Sequence, residues 1–357
     1  MTAPVPSSLP RLNAIQVLRG IAAILVMVSH LWIIEQKYSP DQLLGAWVNF
    51  GMIGVDLFFA ISGFIMVYVT QAVAPSAGAA GRFAFARIAR IYPVHWVVSG
   101  VLFLLWLKAP DMVFSAFNQP PDILKSFTLW PDQRPPLLAV GWTLTHEVFF
   151  YLVFTISLLF SKRLLLPFLT GWAAVTMLGF AAGFGKTSPE TALVFNPLTL
   201  EFILGAMAAW GFIRLDGKWS TPAISVGLTG FALAILLLVT AKYSMPTTPW
   251  LRTLYFSVPG ALLVYGLAGL VDAGRLVPKI LVSLGDWSYS LYLTHILTLS
   301  LLGKLWHPLA TPGWLDNVLV LIFFALISIL VAALCWRYIE KPLVALAKRG
   351  RQRLSKP

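Results

Sequence analysis

Charge is scarce in this chain. Asp, Glu, Lys and Arg make up 11% of its 357 residues, against about a quarter in ordinary soluble proteins. A water-solvated globule is therefore excluded. Cysteine is scarcer still, with Cys335 alone, which excludes a disulfide framework and a cysteine-based metal site. Cys335 lies in an apolar run, where helix packing accounts for it. Long polar stretches are missing too, so no separate soluble domain fits between the apolar runs. The N-terminus lacks an A-x-A cleavage pattern. Its apolar region is too long for a signal peptide and is interrupted by Arg19.

What the chain has is apolar length. Hydrophobic residues make up 58% of it, and runs of roughly 20 apolar residues recur along it, the length that crosses a bilayer. The sequence predicts an all-α polytopic integral membrane protein with about ten transmembrane helices. They fall near 14–34, 49–70, 91–108, 139–160, 164–183, 193–213, 222–241, 251–271, 282–303 and 316–338. Connections such as "APSAGAAG" (74–81) and "KYSMPTTPW" (242–250) separate them. No repeat of fixed period is present. The expected organisation is a cytoplasmic segment 1–13, a single transmembrane domain 14–338 and a basic cytoplasmic tail 339–357.

The net charge of +12 does not point to nucleic acid. Basic residues in such proteins follow the positive-inside rule. With the N-terminus placed in the cytoplasm, 18 of the 26 Lys and Arg residues fall on that side, so both termini are expected inside. The 109–138 loop, with Asp111, Asp122 and Asp132, then faces outside. The tail "LAKRGRQRLSKP" reads as a topology anchor beside anionic lipid.

Ionisable residues inside the apolar runs are the informative ones, because they are costly in a bilayer and usually serve a pathway or a site. "VLRGIAAILVMVSHLWII" (17–34) carries Arg19 and His30. Eleven residues at about 100° each bring them to one helix face, about 16 Å apart along the axis. Arg19 alone can snorkel to headgroups, whereas an imidazole at the depth of His30 needs a partner. Asp56 in the second span, and His146 and Glu147 in "GWTLTHEVFFY", enter from the outside and reach a similar depth. These four are expected to converge in one outer-half layer. An imidazole near carboxylates is the kit for proton transfer at neutral pH, and a proton relay in a transporter uses the same parts.

Glu201 lies in the outer half of "PLTLEFILGAMAA". Asp286, Ser288, Tyr289, Ser290, Tyr292 and His295 lie in "LGDWSYSLYLTHI". All of these serve equally well as glue between helices. In the inner loop "RFAFARIARIYP", Arg87 and Arg90 are three apart. They can clamp a phosphate or diphosphate, or simply set topology.

These motifs together resemble the acyltransferase-3 family, membrane O-acyltransferases that modify bacterial surface glycans. The matching segments are "LRGIAAILVMVSH", "GVDLFFAISGFIM", "RIARIYP", "GWTLTHEVFFY", "LEFILGA", "SYSLYLTH" and "RYIEKP", in order along essentially the whole chain. The exopolysaccharide O-acetyltransferase branch is the most similar. It often has "NYE" where this chain has "THE", so Glu147 keeps its family position while His146 departs from the pattern. No esterase-like C-terminal domain is expected.

The resemblance implies acetyl-CoA as donor and no metal. The acceptor is a hydroxyl of a polysaccharide or lipid-linked sugar, and the location the bacterial inner membrane. It implies functional roles for Arg19, His30, Arg87 and Arg90. Arg87 and Arg90, with Arg19, would hold the phosphates at the inner mouth, and the pantetheine arm would run along the Arg19–His30 face. His30 would act as general base or as acyl-carrying nucleophile, oriented by Asp56 or Glu147. The competing reading is a proton-coupled transporter or glycan-exporting permease. A structural scaffold would leave the buried polar residues unexplained. The acceptor sugar and the oligomeric state leave no trace in the sequence.

Overall fold

Among the described residues helix is the only regular secondary structure. The computed structural model describes residues 11–113, 119–241, 245–246, 248–270 and 278–354. Residues 1–10, Arg275, Lys356 and position 271 of the eighth expected span lie outside them, as do 242–244 and 247 in the connection before it.

The helices are α1 (Asn13–Tyr38), α2 (Ile53–Thr70), α3 (Ala77–Lys108), α4 (Pro110–Val113), α5 (Ile123–Thr128), α6 (Gly141–Ser157) and α7 (Leu165–Ala181). They continue with α8 (Pro189–Val194), α9 (Thr199–Leu215), α10 (Ser220–Thr240), α11 (Pro249–Ala268), α12 (Lys279–Trp306), α13 (Trp314–Cys335) and α14 (Lys341–Leu354). Nine of the ten expected spans fall mainly on one helix each, and the sixth is divided between α8 and α9. Eight helical segments are long and apolar enough to cross a membrane. The two expected spans outside that set are α6, with 17 residues, and α12, which carries Asp286, Ser288, Ser290, Thr294 and His295. Leucines such as Leu178, Leu236 and Leu326 stand exposed on the outer surface, as lipid-facing residues do. A soluble protein does not present so much contiguous apolar surface.

Three boundaries differ from expectation. The third helix starts at Ala77 rather than near 91, so Arg87 and Arg90 lie inside a 32-residue helix and not in a loop. Ser76 caps its start by accepting from the Ala79 N–H at 3.1 Å. Pro93 sits within it without ending it. In the sixth expected span Pro197 breaks the helix, and Asn196 Oδ1 accepts from the Leu198 N–H at 3.0 Å. After α13 the chain passes through a π-helical turn, Trp336–Glu340, into α14.

Small residues let the central helices approach closely. A Cβ on Gly63 of α2 would lie 1.9 Å from the Phe202 carbonyl oxygen of α9, and one on Gly205 2.0 Å from that of Ala60. At the α1–α12 contact, a Cβ on Gly285 would lie 2.0 Å from the Gln16 oxygen. The far end of α1 is pinned by Glu35, which is fully buried. Its carboxylate accepts from the Leu43 and Leu44 N–H groups at 2.7 and 2.9 Å and from Asn317 Nδ2 at 2.7 Å.

Helix ends sort to two faces. On one, the N-terminus of α1 meets α12 through Arg11 and Asp286, and Lys162 donates to the Gln71 carbonyl. On the other, His307 Nδ1 donates to the Tyr38 carbonyl at 3.0 Å, and Trp130 Nε1 donates to Glu190 at 3.0 Å. We call these the arginine face and the opposite face.

Candidate active site

Helix α1 presents Arg19 and Gln16 to a cavity of about 280 Å³ between α1, α2, α3, α6 and α12. The Arg19 guanidinium donates to Gln16 Oε1 at 3.3 Å. Its charged neighbours are Arg90, Glu340 and Glu147. Arg87 and Arg90 line the same cavity from α3. Arg87 lies over the rings of Phe83 and Tyr151, 5.5 and 5.9 Å from their centroids. Its Nε is buried without a hydrogen-bond partner, a donor left for an anion.

Glu147 faces the three arginines from α6. It accepts from Ser62 Oγ at 2.9 Å and from the Tyr151 hydroxyl. The wall toward the opposite face is aromatic, built by Phe58, Phe59 and Tyr292. Tyr292 shares a hydrogen bond with Thr143 at 2.7 Å, and Tyr289 donates to the Ile91 carbonyl at 2.7 Å.

His30 lies beyond this wall. Its ring is 4.9 Å from that of His295, edge-on at 74°, and the His295 ring is 5.9 Å from that of Tyr292. Each imidazole donates from Nδ1 to a carbonyl one turn back, His30 to Val26 at 2.8 Å and His295 to Leu291 at 2.9 Å. That bond fixes the tautomer of a neutral ring and leaves the lone pair on Nε2. His295 Nε2 is buried and unpartnered.

The expected single layer of His30, Asp56, His146 and Glu147 does not form. Asp56 is taken by Arg252, whose Nε and terminal nitrogen donate to its two oxygens at 3.2 and 2.6 Å. Asp56 is therefore not positioned to orient His30. Glu201 lies beside this pair, fully buried. Helix rotation separates the other two, because adjacent residues on a helix point about 100° apart. Glu147 faces the arginine cavity, and His146 faces another one.

That second cavity, about 330 Å³, lies on the opposite face between the 122–136 segment, α6 and the 185–196 segment. Trp130, Trp142, His146 and Asn196 line it. His146 Nδ1 is buried and unpartnered, with its ring 5.8 Å from Trp142 and 6.2 Å from Phe59. Since Phe59 lines the first cavity, the Phe59 and His146 rings form a wall between the two. Arg134 bridges Asp122 and Asp132 at 3.0 and 3.2 Å, and Lys125 adds a contact to Asp132 at 3.6 Å. Burial acts to raise the Asp132 carboxyl. The backbone N–H groups of Arg134 and Gln133 and the charges of Lys125 and Arg134 outweigh it, holding Asp132 below its ordinary value.

Sequence reasoning did not single out Arg252, Ser62, Tyr151 or Glu340. Arg252 carried a signal, a lone arginine in the apolar run "PWLRTLYF". Tyr151, four residues after Glu147, shares its helix face, and Ser62 carried no signal. Glu340 stands in the segment "RYIEKP" and closes a π-helical turn, a feature frequent at functional sites.

Comparison with known proteins gives this geometry a family. The exopolysaccharide production protein ExoZ of Rhizobium meliloti (strain 1021) is 30% identical over 336 residues, covering 88% of this chain and 96% of ExoZ. The acyltransferase MdmB of Streptomyces mycarofaciens is 28% identical over 331 residues, covering 82% of this chain and 80% of MdmB. The putative O-acetyltransferase SACOL0978 of Staphylococcus aureus (strain COL) is 25% identical over 332 residues, covering 83% of this chain and 53% of that protein. No solved structure matches the chain. The acyltransferase domain profile matches residues 12–337, and the chain belongs to the acyltransferase-3 family of multi-pass membrane O-acyltransferases.

Proposed function

We propose that this protein moves an acetyl group from cytoplasmic acetyl-CoA to a hydroxyl of an extracytoplasmic or lipid-linked polysaccharide. It would sit in the bacterial inner membrane, with about ten spans and both termini in the cytoplasm. The observation that carries this reading is the convergence of Arg19, Arg87 and Arg90 on one cavity between apolar helices. Guanidinium groups pair with phosphate in a planar, bidentate way, and Arg87 Nε is free to donate. The anionic end of the donor binds there, and its pantetheine arm runs into the cavity toward Tyr292.

The acceptor enters from the opposite face. Trp130 and Trp142 offer flat apolar surfaces for sugar rings, and Asn196 and His146 offer polar atoms for hydroxyls. The name of the relative ExoZ, a protein of exopolysaccharide production, supports a polysaccharide acceptor. His30 is the general base. Once the thioester has passed the Tyr292 wall, the His30 Nε2 takes the proton of the hydroxyl as that oxygen attacks the thioester carbonyl. The carbon–sulfur bond breaks, and the coenzyme A thiolate leaves with that proton. The Val26 carbonyl holds the His30 tautomer, and Glu147 holds the arginine cluster in place.

The test is surface-glycan O-acetyl content, by mass spectrometry, in a deletion strain complemented with wild type or His30→Ala. Wild type restores acetylation and His30→Ala does not. Full acetylation by His30→Ala at normal abundance overturns the catalytic role. A reporter fused after Pro357 tests topology, and an extracytoplasmic signal overturns the proposed orientation.

A further inference from the structure

A second space adjoins the arginine cavity. It has a volume of about 280 Å³ and lies between α3 and α14, lined by Phe85, Arg87, Arg90, Val344, Ala347 and Lys348. Arg87 and Arg90 line both spaces, so the two lie in series with the arginine pair between them. In sequence, the basic tail reads only as a lipid anchor. The structure instead holds α14 along α3. Its start is fixed by the π-helical turn, where buried Glu340 accepts from Ser290 Oγ of α12 at 2.7 Å. Lys348 is exposed on its flexible stem, across this space from the arginines.

We propose that Lys348 selects the donor by binding the 3′-phosphate of coenzyme A. This rests on the acyl-CoA reading above. Coenzyme A has a thin pantetheine arm, a diphosphate, and a bulky adenosine with a 3′-phosphomonoester. The inner cavity takes the arm, Arg87 and Arg90 meet the diphosphate, and the outer space takes the nucleotide. Among the described residues lining this space, Lys348 is the cation left for the remaining phosphate. A compact, strongly hydrated ammonium on a long stem suits a phosphomonoester at a wet mouth. A pantetheine carried on a protein has no 3′-phosphate and gains nothing from Lys348.

A lipid headgroup phosphate offers the same chemistry to this basic helix, so the experiment separates the two. Wild type and Lys348→Ala are placed in phosphatidylcholine nanodiscs, which carry no anionic lipid. Binding of coenzyme A and of dephospho-coenzyme A is measured by calorimetry. Wild type is expected to bind coenzyme A about 2- to 5-fold tighter than the dephospho form, the scale of one exposed ion pair. In Lys348→Ala that ratio falls to about one through weaker coenzyme A binding alone, and Lys348→Arg retains it. An unchanged ratio in Lys348→Ala, or none in wild type, overturns the proposal while leaving the donor reading intact. Failure of wild type to bind either ligand overturns both. If Lys348→Ala leaves the ratio intact and instead loses co-purifying phosphatidylglycerol, the helix is a lipid anchor and the proposal is overturned.

Discussion

His146 and Glu147 are consecutive on α6 and face separate cavities, Glu147 toward Arg19, Arg87 and Arg90, and His146 toward Trp130 and Asn196. The two substitutions therefore act differently. Glu147→Gln removes the negative charge facing three arginines and weakens charge-assisted bonds from Ser62 and Tyr151. Such bonds contribute about 1.5–3 kcal/mol each, so kcat/KM for acetyl-CoA is expected to fall roughly 10- to 100-fold. His146→Asn is expected to leave acetyl-CoA binding unchanged and to raise KM for the glycan acceptor. Steady-state kinetics with each substrate varied in turn reads both effects.

Removing one member of the Asp56–Arg252 pair leaves a buried charge without its partner. Arg252→Met strands Asp56 beside Glu201. Losses of about 3–5 kcal/mol are typical of broken buried pairs. Thermal unfolding of the detergent-purified protein should show a large fall in Tm. The double variant Asp56→Asn with Arg252→Met should recover part of it. A double variant as unstable as the single one would contradict a pairing role.

Close packing of α2 on α9 makes a third prediction. Gly63→Val places side-chain carbon where the Phe202 carbonyl oxygen already lies. The helices must separate, and overpacking of this kind costs about 1–3 kcal/mol or more. Monodisperse yield on size exclusion should drop sharply. Gly81→Val, with open space at its Cβ, should cost far less.

Asp132 predicts an acid response confined to the opposite face. Its folded carboxyl titrates below the ordinary value of 3.8, so its contribution is complete above that value. It is lost as pH falls through the lower, folded value. Hydrogen exchange in the 122–136 segment should therefore rise as pH is lowered past about 4, after correction for intrinsic rates. Asp132→Asn should remove that step and should raise exchange at pH 7. Equal acid sensitivity in the variant would assign the step to another carboxyl.

Much of the fold was legible because apolar length and helical periodicity are local. Every expected span is helical apart from the Pro197 break in the sixth, and the R-x-x-R pair is three apart whatever surrounds it. The extent of α3 was less legible, since two glycines and three arginines interrupt the apolar residues of 77–90, and packing against α6 and α14 accompanies the continued helix. The Asp56–Arg252 pair joins residues 196 apart in sequence, and the Ser62–Glu147 bond joins residues 85 apart. No local pattern encodes either.

The sequence by itself determined the membrane class, the helical stretches, the shared face of Arg19 and His30, and the family. Tertiary structure alone decided that Asp56 answers to Arg252, that His30 stands beside His295, that Glu147 and His146 part company, and that α14 lies over the arginines. The physical reason is that periodicity fixes which residues share a helix face. Which faces meet is set by the rotation and depth at which neighbouring helices lock, here through small residues such as Gly63, Gly205 and Gly285.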